Sequence, residues 1–338
     1  MKLIVLPDYP TKLKSMTRIK DINIGIVGVG LMGSSIVASL LVAGHKVKAI
    51  APIAGEQDMA AVRIKDQLLL CEKAALLTEP VAFYLSSLTI SEDYNALHDC
   101  SLVVECIIED IEIKEAVFKK IIASVGKDTV LASNTSAIPI SMLQTFIPNP
   151  ERFIGIHWAE PAFATRFLEI ICGEKTASQT ADWVFELAHE WGKEPTLLRK
   201  DIRGFITNRL MYSVYREALT LIENGHTTIE DADKAFRYDA GSWITLMGIF
   251  RRMDFVGLQD YLVIFKTLFP GLSNTDDVPA VVGELMNQDA KGTQNCKGFY
   301  SYTKEECTSW DKAFEAFNQD IYRLAALYPA EVISPVLK

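Results

Sequence analysis

The segment Ile22-Asn-Ile-Gly-Ile-Val-Gly28-Val-Gly30-Leu-Met-Gly33 constrains the fold more than any other. An apolar run enters a Gly-x-Gly-x-x-Gly loop and leaves it through Ile36, Val37, Leu40 and Leu41 at helical spacing. Strand, tight turn and helix in that order make the first half of a nucleotide-binding βαβ unit. Gly28 permits the turn, Gly30 presents no side chain to a pyrophosphate, and Gly33 lets the helix pack closely on the strand, while the helix N-terminus faces the phosphates. Gly28, Gly30, Leu31, Met32 and Gly33 are therefore the expected cofactor contacts. Gly44 closes the helix, and Val47-Lys-Ala-Ile50 reads as the second strand. An NAD-binding fold carries an acid for the adenosine ribose roughly twenty residues after the loop. Here that position is Ala51, and no arginine follows it immediately, so the loop predicts NAD while NADP stays open.

The next segments keep the βα rhythm. Glu56 to Leu77 carries Ile64, Leu68, Cys71 and Ala75 on one helical face, and Leu88-Thr-Ile90 reads as a short strand. Leu102-Val-Val-Glu-Cys106 is a buried strand, Ile113, Val117, Phe118, Ile121 and Ile122 form a helical stripe, and Thr129 to Ser133 is another strand. This alternation predicts a Rossmann-type, doubly wound α/β domain with helices on both faces of a parallel sheet. Ligands of such sheets bind beyond the carboxyl ends of the strands, where Glu109, Lys114 and Asn134-Thr-Ser136 fall. Glu109 and Lys114 fit cofactor contacts or a solvated helix start; Ser136 fits a cofactor or substrate contact, or a cap before Ile138-Pro-Ile.

Beyond Lys200 the alternation ends. Asp201 to Leu210 opens a long helical stretch stopped by Gly225, Thr227 with Glu230 resembles a capping box, and Ile244 to Tyr261 and Lys312 to Leu327 are helical in pattern. The expected division is a dinucleotide-binding domain over residues 1–200, with 1–20 as an N-terminal extension that is either an edge strand or a loose arm, and a helical domain over residues 201–338. Asn208, near a helix start, fits a surface polar residue or local backbone bonding when read alone.

Two apolar runs flank the Pro/Ala/Thr connection between His157 and Glu169, which predicts paired strands. If the connection centres on Phe163, imidazole and carboxylate lie opposite one another. A carboxylate at that range fixes the histidine tautomer and suits a ring that takes a proton from an alcohol. Alone, the pair fits a structural tie between two strands better than a base; the preceding glycine loop reverses that preference.

The net charge of −9 argues against a nucleic-acid partner, which needs a concentrated basic surface. No segment reaches membrane-spanning length without charges, and Met1 to Leu6 is too short for a signal-peptide core, so no membrane partner and a cytoplasmic location are expected. The six cysteines show no Cys-x-x-Cys spacing and no clustering with the five histidines. They read as reduced thiols, most of them core filling, and no metal site is expected.

Gly28-Val-Gly-Leu-Met-Gly33, Val103-Val-Glu-Cys-Ile-Ile-Glu109, Ala132-Ser-Asn-Thr-Ser136, Gly155-Ile-His157, Phe167-Leu-Glu169, Gly204-Phe-Ile-Thr-Asn208-Arg-Leu, Asp254-Phe-Val-Gly-Leu258 and Lys297-Gly-Phe-Tyr300 follow one another in register. In this the chain resembles the 3-hydroxyacyl-CoA dehydrogenases from the glycine loop to near its C-terminus. The resemblance implies a Rossmann-type domain followed by an all-helical domain that forms most of a homodimer contact. It implies that His157 is the base, Glu169 orients it, and Ser136 and Asn208 contact the reacting oxygen. The implied reaction is hydride transfer between NAD and the 3-hydroxyl or 3-keto group of an acyl-CoA, as in fatty acid metabolism. Three departures bear on the substrate. Glu160 stands where the family has Asn, Gln67-Leu-Leu-Leu-Cys-Glu-Lys73 replaces a lysine-rich CoA-contacting helix and leaves Lys73 as a candidate phosphate contact with Arg63 and Lys65 a few residues earlier, and Gln294 replaces a lysine. A carrier-free 3-hydroxy acid or carnitine-like alcohol is thus a second expected substrate class, and a dinucleotide-binding protein without turnover is a third reading.

Overall fold

The computed structural model describes residues 22–328, and its contacts divide the chain into two compact units between Ile206 and Thr207. The expected N-terminal extension lies outside the described residues. The first unit runs β1 (Asn23–Val27), α1 (Leu31–Val42), β2 (Lys46–Ile50), α2 (Gln57–Lys73), α3 (Val81–Leu85), β3 (Leu88–Ser91), β4 (Leu102–Glu105), α4 (Ile111–Ser124), β5 (Val130–Ser133), α5 (Ile140–Leu143), β6 (Phe153–Trp158), β7 (Phe167–Cys172), α6 (Ser178–Glu190) and β8 (Glu194–Leu198). The eight strands form one sheet in the order β3-β2-β1-β4-β5-β6-β7-β8. Every pairing is parallel except that of β6 with β7.

Successive strand residues feed opposite faces, as the two-residue period of a strand requires. On β4, Leu102 and Val104 join a core with Ile36 of α1, Ile64 of α2 and Val184 of α6, whereas Val103 joins a second core with Phe118 of α4, Ile140 of α5 and Phe153 of β6. Both faces are therefore covered, and each such buried side chain contributes ~1.5–3 kcal/mol of transfer free energy. The antiparallel β6–β7 pair comes from the short 159–166 connection, which is too short for a crossover helix.

Two details differ from the sequence reading. Ala75 is exposed and outside α2, because it takes a left-handed conformation (φ 56°) that ends the helix, with the Leu76 N–H donating to the Cys71 carbonyl at 3.0 Å. Ile113 is exposed, and the position beside it, Lys114, is buried in its place.

The second unit comprises α7 (Thr207–Glu223), α8 (Ile229–Tyr238), α9 (Ala240–Val256), α10 (Leu258–Leu268), α11 (Ala280–Asn287) and α12 (Lys304–Leu327). Gly225 (φ 70°) follows the end of α7, and Gly248 breaks α9 with φ 66° and ψ −172°. Thr228, not Thr227, caps α8, because its extended backbone lets its hydroxyl accept the Asp231 N–H at 3.1 Å. The Cys307 thiol donates to Cys296 across 3.3 Å, so these two cysteines meet in a polar contact rather than filling a core separately. Among the described residues of this unit, the buried apolar side chains are small ones, Ala240, Ala290 and Cys307, while Phe250, Phe255, Leu258, Val263 and Phe317 are exposed. No helix among the described residues is long and apolar enough to cross a membrane.

Candidate active site

The glycine turn between β1 and α1 shows three different uses of the missing Cβ. Gly28 has φ +96°, and a Cβ there would lie 2.7 Å from the Cys106 carbonyl oxygen. A Cβ on Gly33 would meet the Gly28 carbonyl oxygen at 1.9 Å, so helix and strand touch through backbone alone. A Cβ on Gly30 would meet nothing within 4 Å. Gly30 is the N-cap of α1 with no side-chain cap, Leu31 is exposed and Met32 half-buried, so the first N–H groups of α1 face open space. Open space before an uncapped helix N-terminus fits a dinucleotide pyrophosphate. The Val29 carbonyl behind it accepts from Ser34 Oγ at 2.9 Å and from Arg63 Nη1 at 2.7 Å. Arg63 thus reaches the glycine loop from α2. At the end of β2, Ala51 is buried and its N–H donates to the Ser91 carbonyl at 2.9 Å, so no acid stands at that strand end.

Beyond β4 and β5 the polar residues form a network. Lys114 Nζ lies 2.7 Å and 2.9 Å from the two carboxylate oxygens of Glu105, and both side chains are fully buried. Glu105 also accepts from the Ile107 N–H at 2.7 Å and from Ser133 Oγ at 2.6 Å. Lys114 faces Glu109 at 3.4 Å. Glu109 in turn accepts the Thr135 hydroxyl and the N–H groups of Ser136 (3.0 Å) and Ala137 (3.2 Å). Burial alone would raise the Glu109 carboxyl, but the Thr135 hydrogen bond, the Lys114 charge and the two backbone donors outweigh it and hold the group below the usual carboxylate range. Lys114 is therefore not part of a solvated helix start, whereas Glu109 and residues 110–113 are exposed. Ser136 does not cap α5, whose N-cap is Pro139 with no side-chain cap; Thr135 accepts the Ile138 N–H at 2.9 Å in the preceding turn, where Ser136 stands exposed.

His157 and Glu169 are direct partners in the β6–β7 register, with Nδ1 of the ring 2.8 Å from Oε2 of the carboxylate. Glu169 is buried, and its Oε1 accepts the Ile206 N–H at 3.0 Å. That donor is delivered by consecutive left-handed residues, Gly204 (φ 82°) and Phe205 (φ 53°). The same turn packs the buried Phe205 ring 5.7 Å from the imidazole, while Phe167 meets it edge-on at 5.6 Å. With Nδ1 taken, Nε2 is the nitrogen left for a substrate, and the side chain keeps 11 % of its surface accessible. Asn134 ties the end of β5 to this strand by accepting the Trp158 N–H at 2.9 Å. The 159–166 connection, which carries the exposed Glu160 and a cis Glu160–Pro161 bond, is held from two sides. The Ala162 N–H donates to Ser35 Oγ at 2.8 Å, and the buried Lys193 ammonium donates to the carbonyls of Ala162 and Thr165.

The first unit thus brings the glycine turn, the Glu109–Ser136 cluster and the His157–Glu169 pair to the carboxyl side of one sheet. Asn208 belongs to the second unit, as the second residue of α7. Sequence reasoning missed Glu105, Ser133, Asn134 as a strand tie, Phe205, the Ile206 N–H and Lys193. Gly204-Phe-Ile was visible as a motif but read as the start of a helix, and a left-handed Phe has no sequence signature.

The sequence matches the 3-hydroxyacyl-CoA dehydrogenase NAD binding domain over residues 23–202 and the 3-hydroxyacyl-CoA dehydrogenase C-terminal domain over residues 204–302. A similar curated relative is 5-formyl-3-hydroxy-2-methylpyridine 4-carboxylate 5-dehydrogenase of Mesorhizobium japonicum, 35% identical over 287 residues, covering 84% of this chain and 92% of that protein. Among solved structures, a 5-formyl-3-hydroxy-2-methylpyridine 4-carboxylic acid 5-dehydrogenase, described as an NAD+-dependent dismutase, superposes with a TM-score of 0.83 at 31% identity, covering 90% of this chain and 98% of that one. The (S)-3-hydroxybutyryl-CoA dehydrogenase of Ralstonia eutropha superposes with a TM-score of 0.70 at 26% identity, covering 83% and 99%. The cofactor is NAD, and the glycine turn fits it. With both domain profiles spanning most of its length and the glycine turn in place, the chain belongs to the 3-hydroxyacyl-CoA dehydrogenase family of NAD-dependent oxidoreductases.

Proposed function

We propose that this chain is a dehydrogenase in which His157 exchanges the proton of a substrate hydroxyl while hydride passes to or from NAD, and that its substrate is a small carrier-free polar alcohol or carbonyl compound. The observation that carries the reaction is the 2.8 Å contact between His157 Nδ1 and the buried Glu169. A proton on Nδ1 shared with the carboxylate leaves the Nε2 lone pair to take the hydroxyl proton, and Glu169 compensates the charge the ring gains. Bound NAD supplies the hydride acceptor. Ser136 donates to the oxygen on which charge develops when the reaction runs toward the alcohol, and the family role of Asn208 as a donor to that oxygen is part of the same proposal. Gly28, Gly30, Leu31, Met32 and Gly33 hold the cofactor phosphates. Glu109 contributes a fixed carboxylate at the cofactor side, with the buried Lys114 setting its charge and position.

Two observations support a carrier-free substrate over an acyl-CoA thioester. The chain is more similar in fold to the pyridine carboxylate dehydrogenase than to the hydroxybutyryl-CoA enzyme. On α2, Arg63 is engaged with the glycine loop, and the segment carries Asp66 and Glu72 beside Lys65 and Lys73. The family name keeps the (S)-3-hydroxyacyl-CoA reading as the second. The unit that ends at Ile206 is assigned as the dinucleotide-binding domain, and the helical unit that starts at Thr207 as the substrate and dimerisation domain.

The test is an NADH oxidation panel with acetoacetyl-CoA, free acetoacetate, 3-dehydrocarnitine and an aromatic aldehyde carboxylate. Turnover with a free compound supports the proposal, and turnover confined to the thioester replaces it with the second reading. H157Q is expected to abolish turnover while NADH binding, read by fluorescence, stays within about 2-fold; full activity in this variant discards the mechanism.

A further inference from the structure

The missing acid at the end of β2 raises the question of what meets the adenosine ribose. β2 and β3 pair in parallel with Ile50 opposite Ser91, so the residues that follow, Ala51 and Glu92, leave the sheet side by side at its β3 edge. The Ala51 N–H to Ser91 carbonyl bond continues the ladder one step further. Neighbouring parallel strands are ~4.8 Å apart, which is within the reach of a glutamate side chain. Glu92 is exposed, and its Oε1 accepts the Gly55 N–H at 2.7 Å, which aims the carboxylate at the loop following β2. Oε2 has no hydrogen bond among the described residues. Glu92 also lines a cleft of about 500 Å³ together with Pro52, Ala54, Tyr94 and, from the end of α4, Lys120 and Ser124.

We propose that Glu92, at the end of β3, supplies the carboxylate that binds the adenosine ribose hydroxyls of NAD, in place of the acid that the end of β2 lacks. A vicinal diol offers two O–H donors, and a carboxylate with one oxygen already fixed by a backbone N–H has the remaining lone pairs to accept them. The same charge repels a 2′-phosphate, so Glu92 also sets the preference for NAD over its phosphorylated counterpart. This inference rests on the cofactor assignment and is independent of His157.

The experiment is direct titration of NADH and NADPH by nicotinamide fluorescence on the full chain, wild type against E92Q. The glutamine retains an oxygen to accept the Gly55 N–H, so the loop keeps its anchor while the charge is removed. NADH affinity is expected to fall about 10-fold and NADPH affinity to rise, so that the NADH/NADPH preference shrinks at least 10-fold. A purely structural Glu92 weakens both ligands equally, and an unchanged ratio overturns the proposal. If E92Q folds poorly by circular dichroism, E92D serves instead. It keeps the charge on a shorter arm, and its NADH/NADPH ratio is expected to fall between the wild-type value and 1; a ratio at the wild-type value, with both ligands weakened alike, overturns the proposal.

Discussion

A single spacing put the imidazole and carboxylate of His157 and Glu169 opposite one another, but what makes Glu169 a fixed partner is its second oxygen. The Ile206 N–H occupies Oε1 at 3.0 Å, which leaves Oε2 for the ring. E169Q leaves one oxygen for two donors, the Ile206 N–H and the ring Nδ1–H, and loses the charge, so kcat is expected to fall about 10²–10⁴-fold. A wild-type pH–rate profile in E169Q would contradict the proposed role. Lys193 is the residue whose environment no local sequence pattern reveals. Burial, aided by the nearby Arg166, lowers its ammonium to about 7 from 10.5. The unfolded chain keeps that proton up to its ordinary value, so between pH 7 and 10.5 the unfolded state binds more protons and folding stability rises with pH. Wild type minus K193M, compared by urea unfolding across that window, is expected to show a rise of up to about 1.4 kcal/mol per pH unit. Parallel stability curves would refute it.

At the scale of elements, the glycine turn separates binding from folding. Gly30 has φ −64° and open space where a Cβ would stand, so G30A is expected to keep Tm within about 2 °C of wild type and lose most NADH affinity. Gly33 has a backbone oxygen 1.9 Å from the same position, so G33A is expected to cost at least the ~1–3 kcal/mol of an overpacked site. Equal stability losses in the two variants would show that the turn does not divide these roles. The β1–α1 unit was legible because its apolar period changes from strand to helix within the loop. The start of α4 was not. Lys114 reads as a polar residue beside a helix N-terminus, and only the approach of β4 and β5 delivers Glu105 and Ser133 and makes a buried ion pair tolerable there. Ala75 and Thr228 show the same limit at helix ends, where one residue's backbone angles decide the boundary.

For the whole molecule, the helical unit is the part that does not close its own core. Its described helices bury no large apolar side chain, while Phe250 is 81% and Phe255 74% exposed. Exposed apolar surface of this extent supports the homodimer contact of the proposed function. Sedimentation equilibrium at micromolar concentration is expected to give twice the chain mass, and a monomer under those conditions would remove this part of the proposal. By itself the sequence determined the strand–helix alternation from β1 to β5, the phosphate turn and the candidate base with its acid, because each is written in local periodicity or in a spacing of a few residues, whereas α6 and β8 were not read from it. Tertiary structure decided which of two oxygens each carboxylate offers, that Lys114 and Lys193 lie buried, and that Glu92 stands beside Ala51. Those facts depend on residues brought together from distant strands, and no local pattern records which neighbours a side chain will meet.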